Sequence, residues 1–399
     1  MEAKDRLAIA DGLARDSLAG AAPEALLQGF CERLLAAGVP LLRAAVTLQS
    51  LDPLVGAVAF RWWRDGARAE RARYARAGAD EHGEDWRVSP FRALYEAEGD
   101  RLRLTPGTAA AAAFPLIGEL AAAGATDYVG FKARFAAPGA GEGILSSWAT
   151  DRPGGFTAED LEALEQALPL LQLAVHSAGA GVGAATLLTT YLGRDVAERV
   201  LAGEVARGVP RRLDAVLWAS DLAGFTRLAD REPEARVIDL LNAYAEVAVD
   251  AVTEAGGDVS KFIGDGLLAV FDRARLDDAP AAALTAAERA LAAVDELGVR
   301  RAAAGLPTTR LRVALHAGEV FYGNVGGRAR LDFTVVGPAV NEAARLCDMC
   351  RSLERELVLS AAFHAAADAQ RARLVGLGRY ALRGVARPQH LYTLDRDAP

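Results

Sequence analysis

Residues 256–271 read GGDVSKFIGDGLLAVF, and this stretch decides the fold of the C-terminal half of the chain. The Gly-Gly pair at its start predicts the end of a preceding helix, because glycine often follows a helix C-terminus. Two short runs, 258–263 and the apolar 267–271, then flank a Gly-Asp-Gly turn. This pattern is typical of a β-hairpin. The stretch therefore predicts a hairpin that carries one carboxylate, Asp265, in its turn.

The residues before the hairpin predict a buried strand and an amphipathic helix. The run DAVLWAS at 214–220 is short and apolar, and Asp221 follows it. Residues 233–255 place their apolar side chains on one stripe with helical spacing. Asp221 and Asp265 each lie beside flexible glycine backbone, so two carboxylates on adjacent strands could hold a hard divalent cation. The alternative is that each Asp only forms a turn, which is common for either residue alone.

Four blocks of the C-terminal half resemble, in order and spacing, the catalytic domain of the class III nucleotidyl cyclases. They are DLAGFT at 221–226, GGDVSKFIGDGLLAVF at 256–271, LRVALHAGEVFYGNVG at 311–326 and RLDFTVVGPAVNEAARL at 330–346. The resemblance covers residues 213–394 and implies an α+β fold with a ferredoxin-like cyclase domain. One departure is Pro338 after Gly337, where the family more often has an acidic residue.

The resemblance implies a role for each matching position. The family holds two divalent ions, Mg²⁺ or Mn²⁺, in each active site and reads the purine base with a second pair of side chains. Further residues orient the ribose, stabilise the transition state and contact the triphosphate. The N–H groups of 222–225 are expected to cradle the terminal phosphates. The implied residues are Asp221, Asp265 and Leu222 for the metals, Lys261 and Asp332 for the purine, Asn341 and Arg345 for catalysis, Arg312 and Arg383 for the triphosphate, and Gly224, Phe225 and Thr226 for other substrate contacts.

Hydrogen-bond logic favours ATP over GTP as the substrate. Adenine presents an acceptor at N1 and a donor at N6, which a lysine donor and an aspartate acceptor complement. Guanine inverts that pattern and would leave buried polar groups unpaired. Lys261 with Asp332 therefore predicts an adenylate cyclase that forms 3′,5′-cyclic AMP and pyrophosphate. The alternatives are a guanylate cyclase and a catalytically silent nucleotide-binding or dimerisation module, and the filled catalytic positions argue against the silent module.

The resemblance also implies a homodimer. In the family, one subunit supplies the metal ligands, and the other supplies the base-reading and transition-state residues. This chain carries both sets, so a homodimer would build two complete sites and a monomer should be inactive. Residues 166–193 contain no Asp, Glu, Lys or Arg, and this uncharged segment is expected to pair with its counterpart in the dimer.

The N-terminal part resembles a GAF-type sensor domain over residues 22–175. The predicted order is a helix at 25–37, strands at 42–48 and 54–62, a variable middle, a closing hairpin at 128–135 and 143–150, and an exit helix at 161–175. Such a domain would bind a small-molecule ligand of unknown identity. Packing in the core is the commoner role of buried aromatic side chains, but five residues are candidates to line a pocket: Trp62, His82, Trp86, Tyr95 and Trp148.

Three parts follow from these patterns. They are a GAF-like α/β sensor domain at 1–175, a helical connector at 176–212 and the cyclase domain at 213–399. Within the connector, the Gly-Ala run at 178–185 predicts a helix break, a second helical segment covers 185–202, and a loop at 208–212 precedes the first cyclase strand.

Charge and composition exclude several classes of partner. The 399-residue chain has 45 Lys plus Arg against 53 Asp plus Glu, a net charge of −8, so no nucleic-acid partner is expected. Its three cysteines are too few for a disulfide framework and no apolar leader follows Met1, which together favour the cytoplasm.

The uncharged 166–193 segment is long enough to span a bilayer, but its Pro, Gly, Gln and His residues predict no membrane insertion. Cys347 and Cys350 are better explained as a buried helix face than as a redox or metal motif.

Overall fold

The computed structural model describes residues 3–50, 52–66, 69–76, 84–135, 143–206, 211–327, 330–385 and 387–395. The chain divides into two compact units, Met1–Leu187 and Leu188–Pro399. Each unit has its own sheet and its own buried core. The boundary between the units lies inside the connector predicted at 176–212.

The first unit is built on a six-stranded antiparallel sheet. Its elements are α1 (Ala3–Leu18), α2 (Pro23–Ala36), β1 (Arg43–Gln49), β2 (Val55–Trp63), β3 (Glu70–Ala75), α3 (Glu84–Arg87), α4 (Pro90–Glu96), β4 (Arg101–Leu104), α5 (Pro115–Ala122), β5 (Asp127–Arg134), β6 (Gly143–Thr150) and α6 (Ala158–Leu192), with a 3₁₀ turn at Ala111–Ala113. The strand order is β3-β2-β1-β6-β5-β4. The four strands predicted in this part and the β5–β6 hairpin are confirmed, with ends that differ by one residue at most.

Two of the residues predicted as candidates to line a pocket lie in the core of the first unit. Trp62 and Trp148 are 4% and 0% exposed and pack in the core beneath α2 and α6, where Phe30 lies edge-on to Trp148 at 5.7 Å. The core interpretation is therefore correct for both, because alternation along a strand turns them toward the helices. Trp86 and Tyr95 contact each other at 6.3 Å, and Tyr95 is 37% exposed. His82 lies outside the described residues.

Helix α6 corrects the prediction of a break at 178–185. It continues without interruption from Ala158 to Leu192, with Pro169 inside it, and ends before Gly193. Each helical glycine costs only about 1 kcal/mol relative to alanine, so the alanines and leucines around the run outweigh them. The N-terminal half of α6 is buried in the core of the first unit. By length and composition alone this helix could cross a membrane, with a mean hydropathy of 1.3 and 22% of its most apolar window buried.

The second unit is built on an eight-stranded sheet. Its elements are α7 (Arg194–Leu201), β7 (Arg211–Leu222), α8 (Phe225–Ala229), α9 (Glu234–Glu254), β8 (Asp258–Ile263), β9 (Gly266–Asp272), α10 (Ala279–Ala303), β10 (Leu311–Gly326), β11 (Leu331–Val336), α11 (Pro338–Leu353), β12 (Leu357–Ser360), α12 (Ala361–Ala366), β13 (Leu374–Tyr380) and β14 (Gln389–Leu394), with a 3₁₀ turn at Arg371–Arg373.

The order of these elements confirms the ferredoxin-like prediction. The sequence β7-α9-β8-β9-α10-β10 forms a βαββαβ unit, and its strands lie in the order β10-β7-β9-β8 with antiparallel neighbours. Helices α9 and α10 pack on one face of the sheet, and α7 and α11 pack on the other. Strand β10 is long enough to pair with β7 and then, beyond it, with β11.

A glycine fixes how closely the predicted hairpin approaches β7. A Cβ atom on Gly266 would lie 1.8 Å from the carbonyl oxygen of Ser220, which no side chain can tolerate. Glycine at this position lets the β8–β9 turn pass directly beside the end of β7. This contact places the turn that carries Asp265 next to Asp221.

Candidate active site

The two predicted metal ligands lie together at the end of β7. Asp221 is the penultimate residue of that strand, and Asp265 lies in the β8–β9 turn. The backbone N–H of Leu222 donates to the Asp265 Oδ2 atom at 3.0 Å, which ties the two positions to each other. Arg312, paired with Asp221 in the β7–β10 register, brings its Nη1 atom to 3.9 Å from Asp221 Oδ2. The carboxylate pair predicted from the sequence is thus assembled by the topology.

The surroundings of Asp221 favour a bound cation. Partial burial raises the pKa of its carboxyl, and the nearby Asp265 carboxylate raises it further, while Arg312 acts in the opposite direction. Its Oδ1 atom is buried and has no hydrogen-bond partner of good geometry among the described residues, although the Cys347 thiol lies near the carboxyl group. An orphaned carboxylate oxygen beside a second carboxylate is the donor set that Mg²⁺ or Mn²⁺ prefers. The backbone carbonyl of Leu222 is the one group of that residue that can ligate a metal.

No larger ligand cluster surrounds this pair. Within the described residues, no group of three or more His, Cys, Asp and Glu side chains is positioned to hold a metal ion. Two carboxylates leave most coordination positions of Mg²⁺ to water or phosphate oxygens, which is typical of nucleotide-dependent sites. The site therefore fits a metal that binds together with a phosphorylated ligand.

In the loop after Asp221, two of the N–H groups that were predicted to bind phosphate already form hydrogen bonds within the chain. The N–H of Leu222 already donates to Asp265, and the N–H of Ala223 donates to the Arg310 carbonyl at 2.8 Å. Both groups are therefore occupied by contacts that hold the loop, and their contact with phosphate stays a prediction. Gly224 at φ +75°, with Phe225 and Thr226 at the start of α8, remains as the predicted contact.

The predicted purine pair forms an ion pair within one chain. Lys261 Nζ lies 2.9 Å from Asp332 Oδ2, although 71 residues separate them in sequence. Lys261 belongs to β8, and Asp332 belongs to β11, which pairs with the far end of β10. Both side chains remain accessible, at 33% and 60% exposed. The donor and the acceptor are therefore side by side and reachable from solvent.

Asn341 and Arg345 lie one turn apart on the exposed face of α11. Arg345 Nη1 is 3.4 Å from Asp348 Oδ2. Cys347 and Cys350 lie on the opposite face of the helix, which is buried against the sheet. The two predicted catalytic side chains consequently point away from the sheet of their own chain.

The direction of α11 separates Asn341 from the carboxylates. Ala339, near the start of the helix, packs against Gly318, and Cys347, near its end, lies against Arg312. Asp221 pairs with Arg312, so it lies near the end of the helix, whereas Asn341 is about 9 Å further back along the axis. Within the described part of one chain, no hydrogen bond or ion pair joins Asn341 or Arg345 to Asp221 or Asp265.

Arg383 lies in an exposed turn between β13 and β14. In the described residues it forms no ion pair with Asp221 or Asp265, so its predicted contact with the triphosphate stays a prediction. Arg312, by contrast, is already at the carboxylates.

Comparison with known proteins identifies the second unit. Residues 212–396 match the family model described as the adenylate and guanylate cyclase catalytic domain. The second unit is a class III cyclase catalytic domain.

Parts of the chain are similar to known relatives and to one solved structure. An uncharacterized protein of Mycobacterium tuberculosis is 35% identical over 206 residues, which are 51% of this chain and 37% of that protein. An uncharacterized protein of Mycobacterium bovis is 37% identical over 207 residues, with the same two coverages. The chain thus spans little more than a third of the length of these relatives. The structure of a bacterial light-regulated adenylyl cyclase superposes with a TM-score of 0.50 at 20% identity, covering 63% of this chain and 83% of that one, which shows the shared fold.

Burial explains the two cysteines of α11 in the cyclase domain. Cys347 and Cys350 are 6% and 1% exposed. A hydrogen bond with Cys350, together with burial, raises the pKa of the Cys347 thiol. A protonated, buried thiol is a poor nucleophile, which agrees with the packing interpretation.

A polar cluster joins α7 to the cyclase sheet, and no local pattern of residues predicts it. Asp195 Oδ2 accepts from Arg199 Nε at 2.7 Å, and Asp195 Oδ1 accepts from Arg275 Nη1 at 2.7 Å. The Asp258 carboxylate, at the start of β8, accepts the backbone N–H groups of Arg194 and Asp195. Burial and the neighbouring Asp195 charge raise the pKa of Asp258 to about 6.

The Asp258→Asn variant is expected to gain stability over the wild type at pH 7 but not at pH 4. Asp258 keeps its proton to about pH 6 in the folded state, whereas its ordinary pKa is 3.8. Between these values the folded state binds more protons, so wild-type stability falls as pH rises through the window. Asparagine does not titrate, so the variant avoids this loss. Its free energy of unfolding at pH 7 should exceed that of the wild type by about 1–2 kcal/mol after allowing for solvent screening. The measurement is the thermal melting of wild type and variant at pH 4 and pH 7. The control is Asp277→Asn, a change at an exposed carboxylate. A gain of equal size at both pH values would refute the raised pKa of Asp258.

Proposed function

We propose that the chain is an adenylate cyclase that converts ATP to 3′,5′-cyclic AMP and pyrophosphate. The observation that carries this proposal is the 2.9 Å pair of Lys261 and Asp332 in a class III cyclase domain. A lysine can donate to adenine N1, and an aspartate can accept from the N6 amino group. For guanine, O6 and N1–H invert these requirements and would leave both side chains badly paired, a penalty that discriminates strongly in buried sites.

Each of the predicted catalytic and substrate-binding residues is proposed to have a separate role in cyclisation. In this reaction the ribose 3′-oxygen attacks the α-phosphorus in line as pyrophosphate leaves, so positioning and charge stabilisation are the main needs. Asn341 orients the ribose, and Arg345 stabilises the charge that grows on the α-phosphoryl oxygens. Arg312 and Arg383 hold the triphosphate, with Gly224 to Thr226 beside it.

Asp221, Asp265 and the Leu222 carbonyl would hold two divalent ions, Mg²⁺ or Mn²⁺. When bound, these ions lower the pKa of the attacking hydroxyl and neutralise phosphate charge. The orphaned Oδ1 atom of Asp221 supports this assignment.

The proposed active form is a homodimer. The carboxylates lie at the end of β7, whereas Asn341 and Arg345 lie on the exposed face of α11 and, within the described residues, form no hydrogen bond or ion pair with them. The strands that carry the purine pair also expose large apolar side chains, Phe262 and Ile263 on β8 and Leu331 on β11. Exposed apolar residues beside functional groups mark a surface that a partner covers. A second copy would cover them and bring Arg345 to the carboxylates of its partner.

The first unit is proposed to be a GAF-like sensor domain that regulates this cytoplasmic enzyme through α6. The order of its elements supports this, from α2 through the β5–β6 hairpin to the long exit helix. Turnover of ATP and of GTP by the purified chain tests the proposed function, because it separates an adenylate cyclase from a guanylate cyclase and from a silent module.

A further inference from the structure

Arg43 is a buried cation in the sheet of the first unit. It belongs to β1 and is 5% exposed. Its guanidinium lies 5.5 Å from the centre of the Trp63 ring, and its Nη1 atom is 3.5 Å from Ser147 Oγ, which is a long hydrogen bond. In the described part of the chain, no carboxylate lies within 4.0 Å of it. A buried charge without a counter-ion is costly, so its presence calls for an explanation.

A second arginine adds to the positive charge at this place. Arg61, on the neighbouring strand β2, pairs with Ala45 in the β1–β2 register and faces the same side of the sheet as Arg43. Burial lowers the pKa of Arg43, and the nearby Arg61 also lowers it. Glu119 on α5 has a weak opposite effect, but its side chain is exposed and beyond ion-pair distance. Arg61 also donates from Nη2 to the Tyr74 hydroxyl, and its guanidinium lies 5.9 Å from the centre of the Tyr74 ring. The two arginines therefore place positive charge on the same face of the sheet.

Tyr128 brings an unused donor to the same face. The strand registers place it with Arg43, on either side of Ala149. It is 1% exposed, and its hydroxyl has no hydrogen-bond partner of good geometry among the described residues, although Ser147 lies near it. Burial raises the pKa of this hydroxyl to about 12, so it stays protonated and able to donate.

Small residues occupy the middle of this face. Ala45, Ser147 and Gly130 lie in one row across β1, β6 and β5. Helix α4 lies over them: its Leu94 side chain is in contact with Gly130, and Lys132 Nζ donates to the carbonyls of Leu94 at 3.0 Å and Ala97 at 2.7 Å. Lys132 is thus fully used in holding α4, whereas the described residues offer Arg43 no comparable structural partner.

We propose that Arg43, Arg61 and the Tyr128 hydroxyl form a binding site in the first unit for the oxyanion group of a small molecule. The planar fork of a guanidinium group matches a carboxylate or a phosphate in two parallel hydrogen bonds, and the phenol supplies a third donor. Trp63 offers an apolar wall for the rest of the ligand. This inference rests on the proposed sensor role, and it names the chemical class of the ligand.

The test is the melting of the full chain with acetate, benzoate or inorganic phosphate, against chloride at equal ionic strength. We expect at least one of the three anions to raise the melting temperature of the wild type, and the carboxylate and phosphate arms to distinguish the two sources of the oxyanion. The increment should disappear in Arg43→Met and persist in Arg73→Met, which removes an exposed arginine from β3 and changes the net charge equally.

Without added anion, Arg43→Met should melt no lower than the wild type, because it removes an unpaired buried charge. An increment that survives in Arg43→Met would overturn the site, as would a wild type that gains nothing from any of the three anions. The readout is binding rather than turnover, so failure of this site and failure of the cyclase proposal are separate results.

Discussion

The Asp221→Asn variant is expected to lose cyclic-nucleotide formation by roughly 10³-fold. The substitution keeps the size of the side chain but removes the charge that, with Asp265, would hold the divalent ions and through them the phosphates. The measurement is the rate of cyclic nucleotide formation at saturating ATP and Mn²⁺. Asp250→Asn, an exposed change on α9, is the matched control and should retain wild-type activity.

Loss of folding would not explain this result. Burial raises the pKa of Asp221, and its Oδ1 atom is unpaired, so the ionised side chain adds little to the stability of the metal-free protein. We therefore expect Asp221→Asn to melt no lower than the wild type in the absence of metal. Addition of Mn²⁺ and a non-reactive ATP analogue should raise the melting temperature of the wild type much more than that of the variant. An Asp221→Asn enzyme with near wild-type turnover would refute the metal assignment.

Two inactive variants are expected to restore each other in a mixed dimer. Arg345→Ala removes the proposed transition-state cation, and Asp221→Asn removes a proposed metal ligand, so each homodimer is expected to have two defective sites. A dimer with one chain of each kind has one intact site, built from Asp221 of one chain and Arg345 of the other. Isolated through two different affinity tags, it should show about half the wild-type rate per dimer.

The control for this experiment pairs two variants of the same set. Asp221→Asn with Asp265→Asn should remain inactive, because neither combination of chains restores both carboxylates at one site. If the Asp221→Asn and Arg345→Ala dimer is as inactive as its parents, the site is not shared between chains.

Features of the fold that depend on neighbouring residues could be predicted from the sequence, whereas features that depend on packing against distant residues could not. The β8–β9 hairpin and the ends of α9 follow from glycine turns and apolar periodicity, which are local and strong. Strand β7 was found where it was predicted, but it runs Arg211–Leu222 instead of 214–220, so it begins inside the loop predicted at 208–212. The continuity of α6 did not follow, because its weak helix formers are compensated by leucines that are buried against the first sheet. Its predicted break treated three glycines as decisive when burial of the neighbouring turns outweighs them.

The candidate sites also depend on contacts between residues that are distant in sequence. Lys261 and Asp332 meet only because β11 folds back on β10, and the resemblance to the cyclases indicated this pairing where spacing could not. Arg43 gave no signal at all, because nothing local distinguishes it among the 45 basic residues of the chain. Its burial depends on strands that are about 100 residues apart in sequence. Polar groups buried by distant pairing are where sequence patterns carry the least information.

The most direct test of the central claim is the product that the purified full chain forms from ATP and from GTP in the presence of Mn²⁺, measured by chromatography. We expect cyclic AMP to form from ATP much faster than cyclic GMP forms from GTP, and Lys261→Ala to remove most of this preference. Faster formation of cyclic GMP would identify a guanylate cyclase and contradict the roles of Lys261 and Asp332. No cyclic product from either nucleotide would contradict the assignment of a catalytic function to this chain.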